Sequence, residues 1–266
     1  MNRHCVARTI TLALAILAVA ACQRGDVDRG KEAAKESGKQ TASEPAKEPE
    51  REASKEALKE ATKETMKGAA TYDATAMRAA LERIEAWHAA YRTPIARAFR
   101  PGLGDTELTR KLQSLPCRLP REIQALYTWH DGTEIVDDEF VWYHYLPSLD
   151  RAIGNYRRLV ASGLLHPDEF PVLDFEGEYY VVRCSAGTSD TSPVWLVFHN
   201  PARPVNYVSF TAYMQTAADW YESGAASGVD RATDAADLPR RRENLLRLRD
   251  IHQRYNPGAM FPYAVR

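Results

Sequence analysis

The chain has 266 residues, 44% of them apolar, and balances 35 basic against 36 acidic side chains. That balance gives no global pull toward nucleic acid, and the length allows one large or two small domains. All five tryptophans and all thirteen tyrosines lie from Thr71 onward, so the material for a core is concentrated there.

The N-terminus carries Arg3 and Arg8, then an apolar segment from about Ile10 to Ala21. That segment is too short to span a bilayer comfortably and reads as a cleavable export signal. It closes with Leu17-Ala18-Val19-Ala20-Ala21-Cys22. Small residues before a cysteine resemble the lipobox of bacterial lipoproteins, in which that cysteine is acylated and becomes the new N-terminus. The resemblance implies a signal peptide over 1–21 and a lipid on Cys22. It also implies a membrane-anchored protein facing the periplasm or the cell exterior. An ordinary signal peptide with a chance cysteine, or an uncleaved anchor, is the alternative.

Residues 22–70 are low in complexity and rich in Lys, Glu and Ala, with Pro45 and Pro49 breaking any early helix. Glu52, Glu56, Glu60 and Glu64 each have a lysine three residues on, within reach on a helix surface. No apolar face accompanies them, so the segment is expected to be a disordered or partly helical tether.

A globular domain is expected over 71–228. Met77, Leu81, Ile84, His88, Tyr91 and Ile95 recur at helical spacing, with Asp73 or Thr75 as cap. A short helix is predicted from Asp105-Thr106 to about Leu115. Another is predicted behind Pro120, with Ile123, Leu126, Tyr127 and His130 on one face and Gly132 as its stop. Glu139 to Leu146 is an aromatic, β-prone run. Ser148 then caps a helix carrying Leu149, Ala152, Ile153, Tyr156 and Leu159.

Four strand-like runs follow: Phe170–Phe175, Glu178–Cys184, Val194–Phe198 and Val205–Ser209. Short connections through Glu176-Gly177 and Asn200-Pro201 favour antiparallel hairpins. Ser209 or Thr211 opens a helix with Tyr213, Ala217 and Trp220 inward. Asp237 caps a last helix with Leu245, Leu248 and Ile251, so 229–266 is expected to pack on the domain as a C-terminal extension. The order predicts an α+β fold with an antiparallel sheet of about four to six strands flanked by helices. Cys117 and Cys184 remain for a disulfide that an oxidising compartment permits; two small buried thiols are the alternative.

Several blocks match a known pattern in order. The clearest is Leu119-Pro120-Arg121-Glu122-Ile123-Gln124-Ala125-Leu126-Tyr127-Thr128-Trp129-His130-Asp131-Gly132. With it go Leu146-Pro147-Ser148-Leu149, Phe170-Pro171, Gly177 with Tyr180, Pro193-Val194, and Ser209-Phe210 with Tyr213. Over about Ala74 to Ser223 the chain resembles the SUKH superfamily. These domains are related to fungal cell-wall-assembly regulators and to bacterial immunity proteins that neutralise polymorphic toxins. The hairpin reads Asp174-Phe175-Glu176-Gly177-Glu178, without the family's glycine-rich stretch, and the tail after about Val229 lies outside the likeness. The resemblance implies a non-enzymatic, protein-binding function, with toxin immunity as its most concrete form. A cell-envelope scaffold or regulator, binding wall polymers or wall-synthesis proteins, is the alternative.

No metal-ligand spacing, nucleophile elbow, P-loop or dinucleotide fingerprint occurs, so no catalytic residue, metal or cofactor is assigned. Charge suggests where a partner would bind. From Asp105 to Asp190 fifteen acidic residues face eight basic ones, a local net of −7. The expected partner-binding residues are Trp129, Asp131, Glu134, Asp137, Asp138, Glu139, Trp142, Glu176 and Glu178. They would suit a protein partner such as a basic toxin domain; a solvated loop is the alternative. Arg240-Arg241-Arg242, Arg247, Arg249 and Arg254 give the last helix an opposite, basic face. Nucleic acid is not an expected partner of an exported chain.

Overall fold

In the computed structural model the described residues are 72–134, 139–198, 203–225 and 238–263. Cys22 and the tether lie outside them, as do Asp137, Asp138 and Asp237. The elements run α1 (Ala74–Ala90), a 3₁₀ turn (Pro94–Arg97), α2 (Asp105–Leu112), α3 (Arg121–Trp129) and α4 (Leu149–Ala161). Then come β1 (Glu169–Phe175), β2 (Glu178–Arg183), β3 (Val194–Val197), α5 (Phe210–Glu222) and α6 (Leu238–Tyr255). The fold is α+β, with a three-stranded antiparallel sheet in the order β1-β2-β3.

The helices start where short polar side chains can hold the first free N–H groups. Asp73 Oδ1 accepts from Thr75 and Ala76 at 2.9 and 3.0 Å, so Asp73, not Thr75, is the cap of α1. Ser148 Oγ accepts from Arg151, and Ser209 Oγ from Ala212. On α4 all five expected inward residues are buried. On α1 the buried face stops at His88. Tyr91 is exposed beyond the helix end, and Ile95 reaches the core from the 3₁₀ turn.

β1 and β2 join through Glu176-Gly177, with φ of 44° and 96° and Phe175 paired to Glu178. This two-residue loop with both central residues left-handed matches the strand twist. Tyr180, Val182 and Val194 join the main core with α1, α3 and α5. Tyr179, Val181, Trp195 and Val197 form a second cluster with Leu159 of α4 and Leu165 just beyond its end.

The sheet is smaller than the expected four to six strands. The run Glu139–Leu146 turns back on itself: Val141 bridges His144, and Trp142 and Tyr143 sit at φ of 47° and 67°. Its far end touches the sheet through a single bridge, Tyr145 to Asp174. Val205–Ser209 likewise contributes one bridge, Tyr207 to Val194. There the Asn206 side chain accepts from Leu196 N at 2.9 Å, so a side chain stands where a strand backbone would continue.

α6 packs on α5 and delivers Leu248 and Ile251 into the main core; Leu245, expected inward, is half-buried, while Asn244 and His252 are buried. Asp219 of α5 ties three helices together. It accepts from Arg83 of α1 at 2.7 Å, and from Arg254 and Tyr255 of α6 at 3.0 and 2.8 Å. Cys117 and Cys184 are disulfide-bonded, their Cα atoms 5.5 Å apart.

Candidate functional site

α3 ends at Trp129, and the next three residues part in different directions. Trp129 is half-buried against Phe99, His130 and Phe140, and its indole N–H donates to Glu85 Oε2 at 3.3 Å. His130 stacks on Phe99, and its Nδ1 lies 2.7 Å from the Arg100 carbonyl. Asp131 turns to α4, where its Oδ1 accepts the Leu149 N–H at 2.8 Å. Burial pushes this carboxyl up from its usual range, opposed by that N–H and by Lys111 and Arg100. Gly132, at φ 79°, lies so close to α4 that a Cβ would sit 2.4 Å from Ser148 N. The Asp-Gly pair is therefore a backbone socket for the start of α4. His130 turns to Phe99 and the Arg100 carbonyl while the Asp131 carboxylate turns to the Leu149 N–H, and the two do not form a base with its orienter.

The next segment is a tight aromatic turn. Glu139 Oε2 accepts the Tyr143 N–H at 2.9 Å, which helps hold the left-handed backbone. Trp142 is 6% exposed and stacks at 5.3 Å on Tyr213. His144 is buried, with Nδ1 2.7 Å from the Trp142 carbonyl and its ring 4.6 Å from Tyr180. Burial pushes the His144 pKa down to about 4, so the imidazole is neutral at physiological pH. Tyr143 and Tyr145 lie 5.7 and 5.8 Å from the Phe175 ring. The turn is thereby brought beside the β1–β2 hairpin, which carries Glu176 and Glu178.

These contacts sort the expected partner-binding residues. Glu134 and Glu176 are exposed, and Trp129, Glu139 and Glu178 are half-buried; all five can meet a partner. Burial raises the Glu178 pKa. Asp131 and Trp142 correct the expectation. Asp131, 5% exposed, is spent on the start of α4, and Trp142 is packed into the tyrosine cluster, so neither is an outward anchor. Asp137 and Asp138 lie outside the described residues.

Most other carboxylates already have partners. Asp150 pairs with Lys111, Asp168 with Arg183, Glu169 with Arg203, Asp174 with Arg151 and Asp190 with Arg121. Asp219 and Glu222 both engage Arg83. Glu134, Glu176 and Glu178 have no ion pair among the described residues. The turn and hairpin thus form an aromatic-backed rim on which Glu176 and Glu178 carry no ion pair among the described residues, and Glu134, next to the Phe99–Thr133 bridge, is a further exposed acid without one.

The sequence reading missed Glu122. This side chain is 0% exposed and accepts four hydrogen bonds: Ser192 N at 2.8 Å, Phe210 N at 3.0 Å, Thr211 N at 2.8 Å and Thr211 Oγ1 at 2.9 Å. Burial pushes its pKa up while the donors oppose that rise. In sequence it looks like an ordinary first-turn acid on α3, and its partners lie 70 to 89 residues downstream.

Among the described residues no group of three or more His, Cys, Asp or Glu is placed to hold a metal ion. No described helix is long and apolar enough to cross a membrane. No family model and no curated protein matches the chain.

Proposed function

We propose that Ala74–Ser223 is a SUKH-like domain of a lipid-anchored, non-enzymatic protein that binds a protein partner outside the cytoplasm, and that the partner is a basic toxin domain. The observation that carries this reading is the uncompensated rim. Glu134, Glu176 and Glu178 remain without ion pairs among the described residues in a fold that pairs most of its other carboxylates. Such a rim speeds encounter with a cationic surface and fixes its orientation. Tyr143, half-buried beside the hairpin, and Trp129, half-buried against Phe99, supply aromatic area of the kind that anchors interfaces. The SUKH-type blocks are consistent with this division of labour, because Leu119, Ile123, Leu126, Tyr127, Asp131 and Gly132 are committed to packing or to the start of α4.

The test is protection. Cells exporting a toxin domain encoded beside this gene should survive when the full chain is co-expressed. Survival should be lost with E134Q/E176Q/E178Q at equal protein level. Absence of protection by the unaltered chain against every neighbouring toxin overturns the immunity reading. A second reading, an envelope scaffold touching anionic polymers, is favoured by the exposed Arg240, Arg241 and Arg242 at the start of α6. Co-sedimentation with purified wall sacculi, abolished by replacing these three arginines with glutamine, would select it.

A further inference from the structure

Between Cys184 and Pro193, in the link from β2 to β3, runs an eight-residue strap, Ser185-Ala186-Gly187-Thr188-Ser189-Asp190-Thr191-Ser192, with no large apolar side chain. It nevertheless holds one end of two helices. α3 has Pro120 at its cap position and no side-chain cap of its own. Its first two N–H groups are taken instead by strap carbonyls, Arg121 N to Ser189 O at 3.0 Å and Glu122 N to Asp190 O at 3.3 Å. Ser192 N then donates to Glu122, whose carboxylate also receives the first two N–H groups of α5. The strap thus caps α3, and α3 caps α5.

The strap is also tied covalently at its entry. Cys184 at its entry is bonded to Cys117 in the lead-in to α3, and the next pair, Arg118 and Ser185, exchanges two backbone hydrogen bonds at 2.8 and 3.1 Å. Ala186, Gly187 and Thr188 are exposed. A segment with so little apolar burial opens at low free-energy cost unless it is pinned. The bond is also reachable. Cys117 is half-buried in the wall of an open groove of about 500 Å³, lined also by Leu112, Leu115, Arg118, Arg121 and Thr188. Cys184 is 1% exposed.

We propose that Cys117–Cys184 is a redox latch, opened from this groove by a dithiol reductant, whose opening releases the strap and loosens the α3–α5 junction. The reductant's thiolate attacks Cys117 Sγ, and the S–S electron pair leaves with Cys184 Sγ, which takes up a proton. The reductant's second thiolate then attacks its own sulfur in the mixed disulfide, closing a new disulfide and expelling the Cys117 thiolate, which is protonated in turn. Two electrons pass to the protein and the reductant is oxidised. Arg118, exposed and lining the same groove, adds positive charge that favours approach of an anionic thiolate.

Hydrogen exchange on the full chain, oxidised and after treatment with dithiothreitol under native conditions, tests this. The amides of Arg121, Glu122, Ser192, Phe210 and Thr211 should exchange about tenfold faster or more on reduction, while those of β2 and α6 keep their rates. The double variant C117S/C184S should show the same local pattern without reductant. A bond that resists reduction until the protein unfolds overturns the latch. So does unchanged exchange at those five amides, or a uniform acceleration across sheet and helices, which would make the disulfide a global staple.

Discussion

At the junction of α3 and α5 the Glu122 carboxylate is fully buried and meets four donors, whereas Glu134, Glu176 and Glu178 reach solvent with no ion pair among the described residues. The side chain is the same, and its treatment is opposite. Burying a carboxylate costs several kcal/mol unless fixed donors replace its hydration, so Glu122 is tolerable only where two helix starts and a strap converge. Exposed acids carry no such requirement, and surface pairs contribute little to stability. The fold therefore does not depend on these three charges.

The largest expected break in this contrast is Glu122→Ala. Three buried N–H donors lose their acceptor, and urea unfolding should show a loss of about 4 kcal/mol. Glu122→Gln keeps one acceptor oxygen and should cost roughly half of that. Next comes Gly132→Ala. It combines a left-handed backbone with a Cβ 2.4 Å from Ser148 N, and should cost about 3 kcal/mol in the same assay.

A pH titration sharpens the comparison from the opposite charge type. Burial lowers the His144 pKa from 6.5 to about 4, so as pH falls the unfolded chain takes up this proton first. The stability contributed by neutral His144 is complete above pH 6.5 and is lost as pH falls toward 4, to a total of about 3 kcal/mol. Burial lowers His252 as well, with the same sign. In His144→Gln the unfolding free energy should vary less over this window, and an unchanged slope would contradict the assignment. The smallest effect on folding belongs to E134Q/E176Q/E178Q, whose urea midpoint should stay within about 0.5 kcal/mol of the parent.

The parts legible in sequence were those encoded locally. Period and capping residues placed α1, α3 and α4, and Glu176-Gly177 announced the hairpin, because each signal lies within a few residues of its effect. The turn at Glu139–Leu146 was hidden. A run of aromatic, β-prone residues reads as a strand, yet packing of Trp142 on Tyr213 and the Glu139 contact hold two of them left-handed. That same packing withdraws Trp142 from the expected binding set. Glu122 was invisible for a related reason, since its role is set by donors far along the chain. The disulfide was permitted by composition, but only the pairing of Arg118 with Ser185 shows why its two cysteines meet.

We propose that the rim serves recognition and not folding. Its most direct test is the association rate of the basic toxin domain proposed as partner with the parent chain and with E134Q/E176Q/E178Q, at low and high salt. The parent should associate fast and slow steeply with salt, while the variant, equally stable, should associate more slowly with little salt dependence. Equal rates and equal salt dependence for the two proteins would contradict the account.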